Sequence, residues 1–146
     1  MTTPSNPSVA DFFTHDHRAC DEAWAAVEAA AGQGDVGTAW PAFQRLMLRH
    51  LDWEEQVMFP AFEGATGMHG MGPTEVMRSE HLGMRGLLDQ MGQAVAEGDL
   101  DELLDQGDTL LMMIQQHNMK EEQVLYPMMS QVLAGAWPHL RARLGG

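Results

Sequence analysis

The chain has 146 residues and a formal net charge of −13. That length fits one domain able to bury about 68–70% of the surface its unfolded form exposes. The charge argues against nucleic acid or an anionic membrane as partner, because both require a basic patch. The single cysteine, Cys20, excludes an intramolecular disulfide and suits a reducing, cytoplasmic setting. The opening MTTPSNPS has neither a basic start nor an apolar run, so no signal peptide is expected. No apolar segment approaches the ~20 residues that span a bilayer. The thirteen methionines read as fillers of irregular core gaps, since no Cys or Met cluster stands at a tight ligand spacing.

In chain order, residues 1–7 read as a flexible polar tail and 8–146 as one helical domain. Ser8 followed by Asp11 predicts an N-cap with an acid in the first turn. The first helix runs from about Val9 to Ala31 and stops at Gly32-Gln33-Gly34. Thr38 is placed to cap the second, with Pro41 in its first turn. That helix runs to about Phe62, and Pro60 should kink it or end it early. Gly64–Gly72 is a glycine-rich loop. Pro73 opens the third helix, which reaches about Glu97, and Asp99 caps the fourth, which reaches about Ala134 with a kink near Pro127. Trp137–Leu144 can form a last short helix. Nothing reads as a strand.

The inward stripe of each helix follows from alternating four- and three-residue steps. The first stripe is Phe13, His17, Cys20, Trp24, Val27 and Ala31, and the second Phe43, Met47, His50, Glu54, Val57 and Ala61. The third is Met77, His81, Met84, Leu88, Met91 and Val95, and the fourth Leu110, Ile114, His117, Glu121, Val124 and Met128. Four long helices with one apolar stripe each, joined by short connections, specify an all-α up-down four-helix bundle. Two residues on a helix are about 200° of rotation, so an inward His17 turns His15 outward. His69 and His139 lie off every stripe.

Each stripe carries one histidine, and two of them add a glutamate four residues on. The stretch His50–Pro60, HLDWEEQVMFP, returns as His117–Pro127, HNMKEEQVLYP, so the chain resembles a duplicated helical hairpin. A helical i, i+4 pair presents both side chains to one face. A lone histidine on such a stripe is ordinarily a core residue with a satisfied hydrogen bond, but that account must hold at matching places on all four helices. Burying unpaired carboxylates costs several kcal/mol, and no Lys or Arg on any stripe balances Glu54 and Glu121. A pair of divalent cations would. Imidazole with carboxylate and no thiolate suits iron, manganese or zinc. Two carboxylates able to bridge suit a dinuclear site with open coordination positions. Glu55, Glu80 and Glu122 flank these residues and are either solvated or accept a histidine N–H. Tyr126 and Phe59, at matching places, read as packing, and Trp24 as core.

The repeated H-x3-EE-x3-[FY]-P, Asp16-His17-Arg18 and Glu80-His81 together resemble the hemerythrin-like, or HHE cation-binding, family over roughly residues 8–134. The resemblance implies a four-helix bundle holding two non-haem iron ions, oxo- or hydroxo-bridged, with His17, His50, Glu54, His81, His117 and Glu121 as ligands and the two carboxylates bridging. Residues 8–146 would then form a hemerythrin-like di-iron domain. The oxygen-carrying members use a fifth histidine, one turn from the first on the third helix. Met77 and Arg85 stand four residues either side of His81, and neither suits iron. The oxygen carriers also place their last carboxylate five residues after the histidine, where Glu122 stands, but the symmetry with Glu54 favours Glu121. The four-His, two-Glu set is similar to the di-iron domain of bacterial iron-centre repair proteins, which respond to nitric oxide and oxidative stress. Three functions follow as expectations: reaction with dioxygen, peroxide or nitric oxide; reversible carriage or sensing of dioxygen or nitric oxide; and storage or donation of iron. The partners would be that small molecule and an electron donor or an iron-client protein.

Overall fold

The computed structural model describes residues 7–145, and all of the regular structure among them is helical. Helix α1 spans Val9–Gly32, α2 Ala39–Trp53, α3 Phe59–Thr66, α4 Pro73–Ala96, α5 Leu100–Lys120, α6 Tyr126–Val132 and α7 Trp137–Leu144. A π-helical turn, Glu54–Met58, joins α2 to α3 without a break, and another, Glu121–Leu125, joins α5 to α6. The stretch expected to be a flexible tail lies outside the described residues except for Pro7, whose carbonyl accepts a 2.8 Å hydrogen bond from the Trp137 indole.

Four rods result: α1, α2–α3, α4 and α5–α6. Their pairings run in opposite directions around the bundle. Residues 12, 16 and 24 of α1 meet Trp53, His50 and Phe43 in falling order. Gln44, Glu55 and Glu63 meet Gly92, His81 and Arg78 of α4. Glu80 and Gly83 meet His117 and Met113 of α5. Ala10, His17 and Trp24 meet Ser130, Glu122 and Gly107. The bundle is therefore up-down-up-down, as the stripes predict. The last of these contacts explains a glycine inside a helix. A Cβ on Gly107 would stand 2.2 Å from the Trp24 ring, so only glycine admits that indole.

Ser8 and Asp99 cap their helices as expected, accepting from the Asp11 and Glu102 N–H groups at 3.1 Å. Thr38 stands at the N-cap of α2 but makes no side-chain cap bond. The second rod continues to Thr66, beyond the expected Phe62, and ends where Gly67 turns left-handed at φ 77°.

The expected proline kinks are replaced by the π turns. A proline inside an α-helix removes one N–H and crowds the carbonyl four residues back. Here the Phe59 N–H reaches Glu54 O and the Tyr126 N–H reaches Glu121 O, each five residues back, and Pro60 and Pro127 sit just beyond. One extra residue per turn moves the inward face on by one place. That corrects the fourth stripe. Val124, expected inside, is 55% exposed and Met128 is only half-buried, whereas Leu125, Tyr126 and Met129 are buried.

The interior has two apolar clusters. One gathers Cys20, Trp24, Phe43, Met47, Met84, Leu88, Leu110 and Ile114. The other gathers Val9, Phe13, Phe59, Phe62, Met77, Leu125, Tyr126 and Met129. Helix α7 adds Trp137, Leu140 and Leu144 to the second cluster, and Trp53 Nε1 donates to Leu144 O at 3.0 Å. Along all four rods the chain passes from one cluster to the other through a histidine: Phe13–His17–Cys20, Met47–His50–Val57, Met77–His81–Met84 and Ile114–His117–Leu125. A polar layer thus lies between two apolar ends.

Candidate metal centre

The six residues singled out by the stripes all fall in this layer, and none is more than 4% exposed. His17 and His50 form one pair, with ring centroids 4.7 Å apart, and His81 and His117 the other, at 5.0 Å. Glu54 and Glu121 lie between the pairs, and each divides its two oxygens. Glu54 Oε1 is 3.1 Å from His81 Nε2 and Oε2 is 3.5 Å from His50 Nε2. Glu121 Oε1 is 3.0 Å from His17 Nε2 and Oε2 is 3.2 Å from His117 Nε2. Two groups of donor atoms result, one on each pair: Glu121 contributes to both, and Glu54 joins the His81–His117 group while turning its other oxygen toward His50. Within each of two sets, one donor atom per residue lies within 4.8 Å of the others: Glu54, His81, His117 and Glu121, and His17, His50 and Glu121.

The outer nitrogens are fixed by a closed ring of carboxylates. His17 Nδ1 donates to Glu122 at 2.7 Å, His50 Nδ1 to Asp16 at 2.8 Å, His81 Nδ1 to Glu55 at 2.7 Å and His117 Nδ1 to Glu80 at 2.8 Å. Each acceptor belongs to the neighbouring rod. A neutral imidazole that donates from Nδ1 presents a lone pair at Nε2, and a carboxylate on the outer nitrogen makes that lone pair more basic. Arg49 backs Asp16 at 3.3 Å, Arg85 backs Glu55 at 3.2 Å and Lys120 backs Glu80. Glu55, Glu80 and Glu122 thus occupy the place foreseen for a carboxylate accepting from histidine. Asp16 was missed in that role. It sits one residue off the first stripe, and only its adjacency to His17 could have hinted at it.

Four atoms at the inner face of the second pair have no hydrogen-bond partner although they are fully buried: His81 Nε2, His117 Nε2, Glu54 Oε1 and Glu121 Oε2. Two contacts among them are 3.1 and 3.2 Å, yet neither has the geometry of a hydrogen bond, and the four residues each offer a donor atom within 4.8 Å of the others. Orphaned buried donors and acceptors cost free energy. A cation held among them would satisfy all four, so the residues fit a metal.

The first pair differs. The Tyr126 hydroxyl lies 2.6 Å from Glu54 Oε2, 2.8 Å from Glu121 Oε1, 3.0 Å from His17 Nε2 and 3.2 Å from His50 Nε2. The expectation that Tyr126 merely packs is overturned by these four contacts. The π turn is the reason: a regular helix from Glu121 would have turned Val124 inward and carried Tyr126 away.

Protons compete for the same atoms when no cation is bound. Burial alone disfavours charge on His50, but the Glu54 carboxylate and the Asp16 hydrogen bond outweigh it and raise its pKa to about 10. Burial likewise opposes charge on His117, and Glu121 and Glu54 overcome it, raising the pKa to about 9. His17 is pushed down to about 4 by burial and by the charge on His50. Burial beside Glu54 lifts Glu121 to about 7, and burial among the same carboxylates pushes the Tyr126 phenol well above its ordinary value. Burial opposes charge on Glu54 as well, but His50 and the His81 contact hold it well below the usual range.

Cys20 is buried and its thiol is pushed up to about 12, chiefly by burial, which makes it an inert wall residue. Cys20, Met47, Met84 and Ile114, with three of the imidazoles, line a cavity of about 10 Å³ on the inner side of the layer, room for about one water-sized molecule. His15 and His139 are exposed, as expected, and His69 lies in the glycine loop.

An all-α bundle with a buried layer of four histidines and two dividing carboxylates defines a metal-binding helical protein. The family model of the hemerythrin HHE cation-binding domain matches residues 8–129, and the chain belongs to that family. No curated protein and no solved structure matches it. Among the described residues no helix is long and apolar enough to cross a membrane.

Proposed function

We propose that this chain is a non-haem di-iron protein that binds or reacts with a small ligand, dioxygen, nitric oxide or hydrogen peroxide, in the response to oxidative or nitrosative stress. The observation that carries the reading is the division of Glu54 and Glu121, each placing one oxygen beside either histidine pair. Mixed imidazole and carboxylate without thiolate suits ferrous and ferric iron. His17 and His50 would hold one ion, His81 and His117 the other, and both carboxylates would bridge. Iron held with an open position supplies electrons and a binding site for a diatomic or peroxide.

The protein's own residues set the terms of that chemistry. The carboxylate ring holds every imidazole in one tautomer, so each Nε2 remains a donor to the ion. The two apolar clusters exclude bulk water from the layer. The cavity of about 10 Å³ has room for about one water-sized molecule, which excludes an organic substrate. Near-complete burial of all six residues favours a resident pair over iron that is handed on, because release would require the bundle to open.

The test is elemental analysis followed by anaerobic reduction and optical titration with dioxygen, then with peroxide and nitric oxide. Two iron ions per chain and a new absorption on ligand addition are expected. A band that disappears under vacuum assigns the carrier form of the reading, and one that persists with oxygen consumed assigns the reactive form. A chain that takes up no iron, or a reduced iron-loaded protein unchanged by all three ligands, overturns it.

A further inference from the structure

The two halves of the polar layer are related by the internal repeat but end in different side chains. Phe59 lies over His81 with ring centroids 5.5 Å apart and planes at 29°, and Tyr126 lies over His17 at 5.4 Å and 32°. The rings are placed alike, so at the inward face of the layer the halves differ by one hydroxyl group. On the phenylalanine side the four inward atoms are orphaned. On the tyrosine side each of the four matching atoms touches that hydroxyl.

A phenol has one proton and two lone pairs, and four converging contacts are more than it can satisfy as hydrogen bonds. The distances have a simpler meaning. Ligands about 2.1 Å from one metal ion and at right angles to each other stand about 3 Å apart. An axial ligand of an octahedral ion makes that separation with four neighbours at once. Tyr126 Oη stands 2.6, 2.8, 3.0 and 3.2 Å from two carboxylate oxygens and two imidazole nitrogens.

We infer that Tyr126 is a further metal ligand: its phenolate oxygen is the fifth donor to the ion held by His17, His50, Glu54 and Glu121, while the ion on the Phe59 side keeps its matching position open. This rests on the di-iron reading above. On metal binding the O–H bond breaks, the oxygen lone pair forms the bond to the cation and the proton leaves to solvent. No oxidant or reductant is consumed. Tyr126 belongs to the apolar cluster opposite the cavity, so the phenolate would bind the layer from its closed side.

Tyr126 is the one tyrosine in the chain, so any tyrosinate signal has a single source. The experiment is resonance Raman and visible absorption of the ferric protein, grown with ordinary or ring-deuterated tyrosine, beside Tyr126→Phe. Iron analysis is run on every sample. The expected result is a phenolate-to-iron charge-transfer band whose excitation enhances tyrosine ring modes that shift on deuteration. Tyr126→Phe, which copies the Phe59 side, should lose the band and keep both iron ions. Two iron ions in the unaltered protein without tyrosine modes overturn this inference and leave the di-iron reading standing. No iron uptake overturns both. One iron per chain without tyrosine modes means the phenol displaces the second ion, which also overturns it. Spectra of the unaltered protein decide the matter even where the variant folds poorly.

Discussion

The two halves of the polar layer share a plan and, at their inward face, differ in one substituent. In each, a π turn follows a glutamate that divides its oxygens, and an aromatic ring from the turn's end covers a histidine of the next rod. Where the ring is Tyr126, every inward atom touches its hydroxyl, and where it is Phe59, four atoms have no hydrogen-bond partner. On the inference above, a duplicated scaffold would hold two metal positions of unequal saturation by changing a hydrogen to a hydroxyl, which adds one donor without altering the backbone. On that inference, the position left without a hydroxyl donor is the one on the His81–His117 side.

Removing what the halves share should have the largest effect. Glu54→Ala takes an oxygen from both metal positions at once, and iron binding should fall by more than the roughly 10- to 100-fold typical of losing an outer hydrogen-bond partner. Elemental analysis after gel filtration measures it, and full occupancy would remove Glu54 from the ligand set. Making the halves alike comes next. Phe59→Tyr would place a second hydroxyl against the four orphaned atoms. Nitric oxide should then bind the reduced iron protein at least about tenfold more weakly, a loss of about 1.4 kcal/mol. Unchanged affinity would mean that the open position is not on that side.

The outer ring offers a finer cut. Asp16→Asn leaves His50 in place but removes the charge behind it, so iron affinity should drop about 10- to 100-fold, read by competition with a chelator. Glu80→Gln tests the equivalent bond to His117, and unequal losses would rank the two positions. A smaller effect comes from pH in the metal-free protein. His50 and His117 have folded-state pKa values raised from 6.5 to about 10 and about 9. Their stabilisation is complete below pH 6.5 and is lost as pH rises through those values. Urea midpoints of metal-free protein should therefore fall across that window, whereas the iron-loaded protein, in which cations replace these protons, should not follow. Parallel curves would contradict the shared-site picture. Least of all, His139→Ala, at an exposed position, should leave iron content and thermal midpoint unchanged.

The bundle and the six inward residues were legible because regular α-helical steps hold as far as each glutamate. Phe13, His17, Cys20 and Trp24, and likewise Met77, His81, Met84 and Leu88, are buried at the predicted register. Beyond Glu121 that register fails by one residue, whereas Val57 after Glu54 is still buried as expected. Val124 points out and Tyr126 in, because a π turn looks like any other helical sequence and only its proline betrays it. For the same reason the phenol hydroxyl, the group that distinguishes the halves, was read as packing. Asp16 escaped for another reason. It bonds across to the next rod, and a contact between helices leaves no periodic trace in either.

The ring of histidine–carboxylate bonds has a mechanical side. Each rod gives a carboxylate to one neighbour and receives one from the other, so the four behave like meshed gears whose train closes on itself. Turning one rod about its axis drags an acceptor from the next histidine and a histidine from the previous acceptor, and four gears in a closed train must turn together or hold still. The ring thereby opposes independent rotation of any one rod, the motion that would pull the histidine pairs out of register.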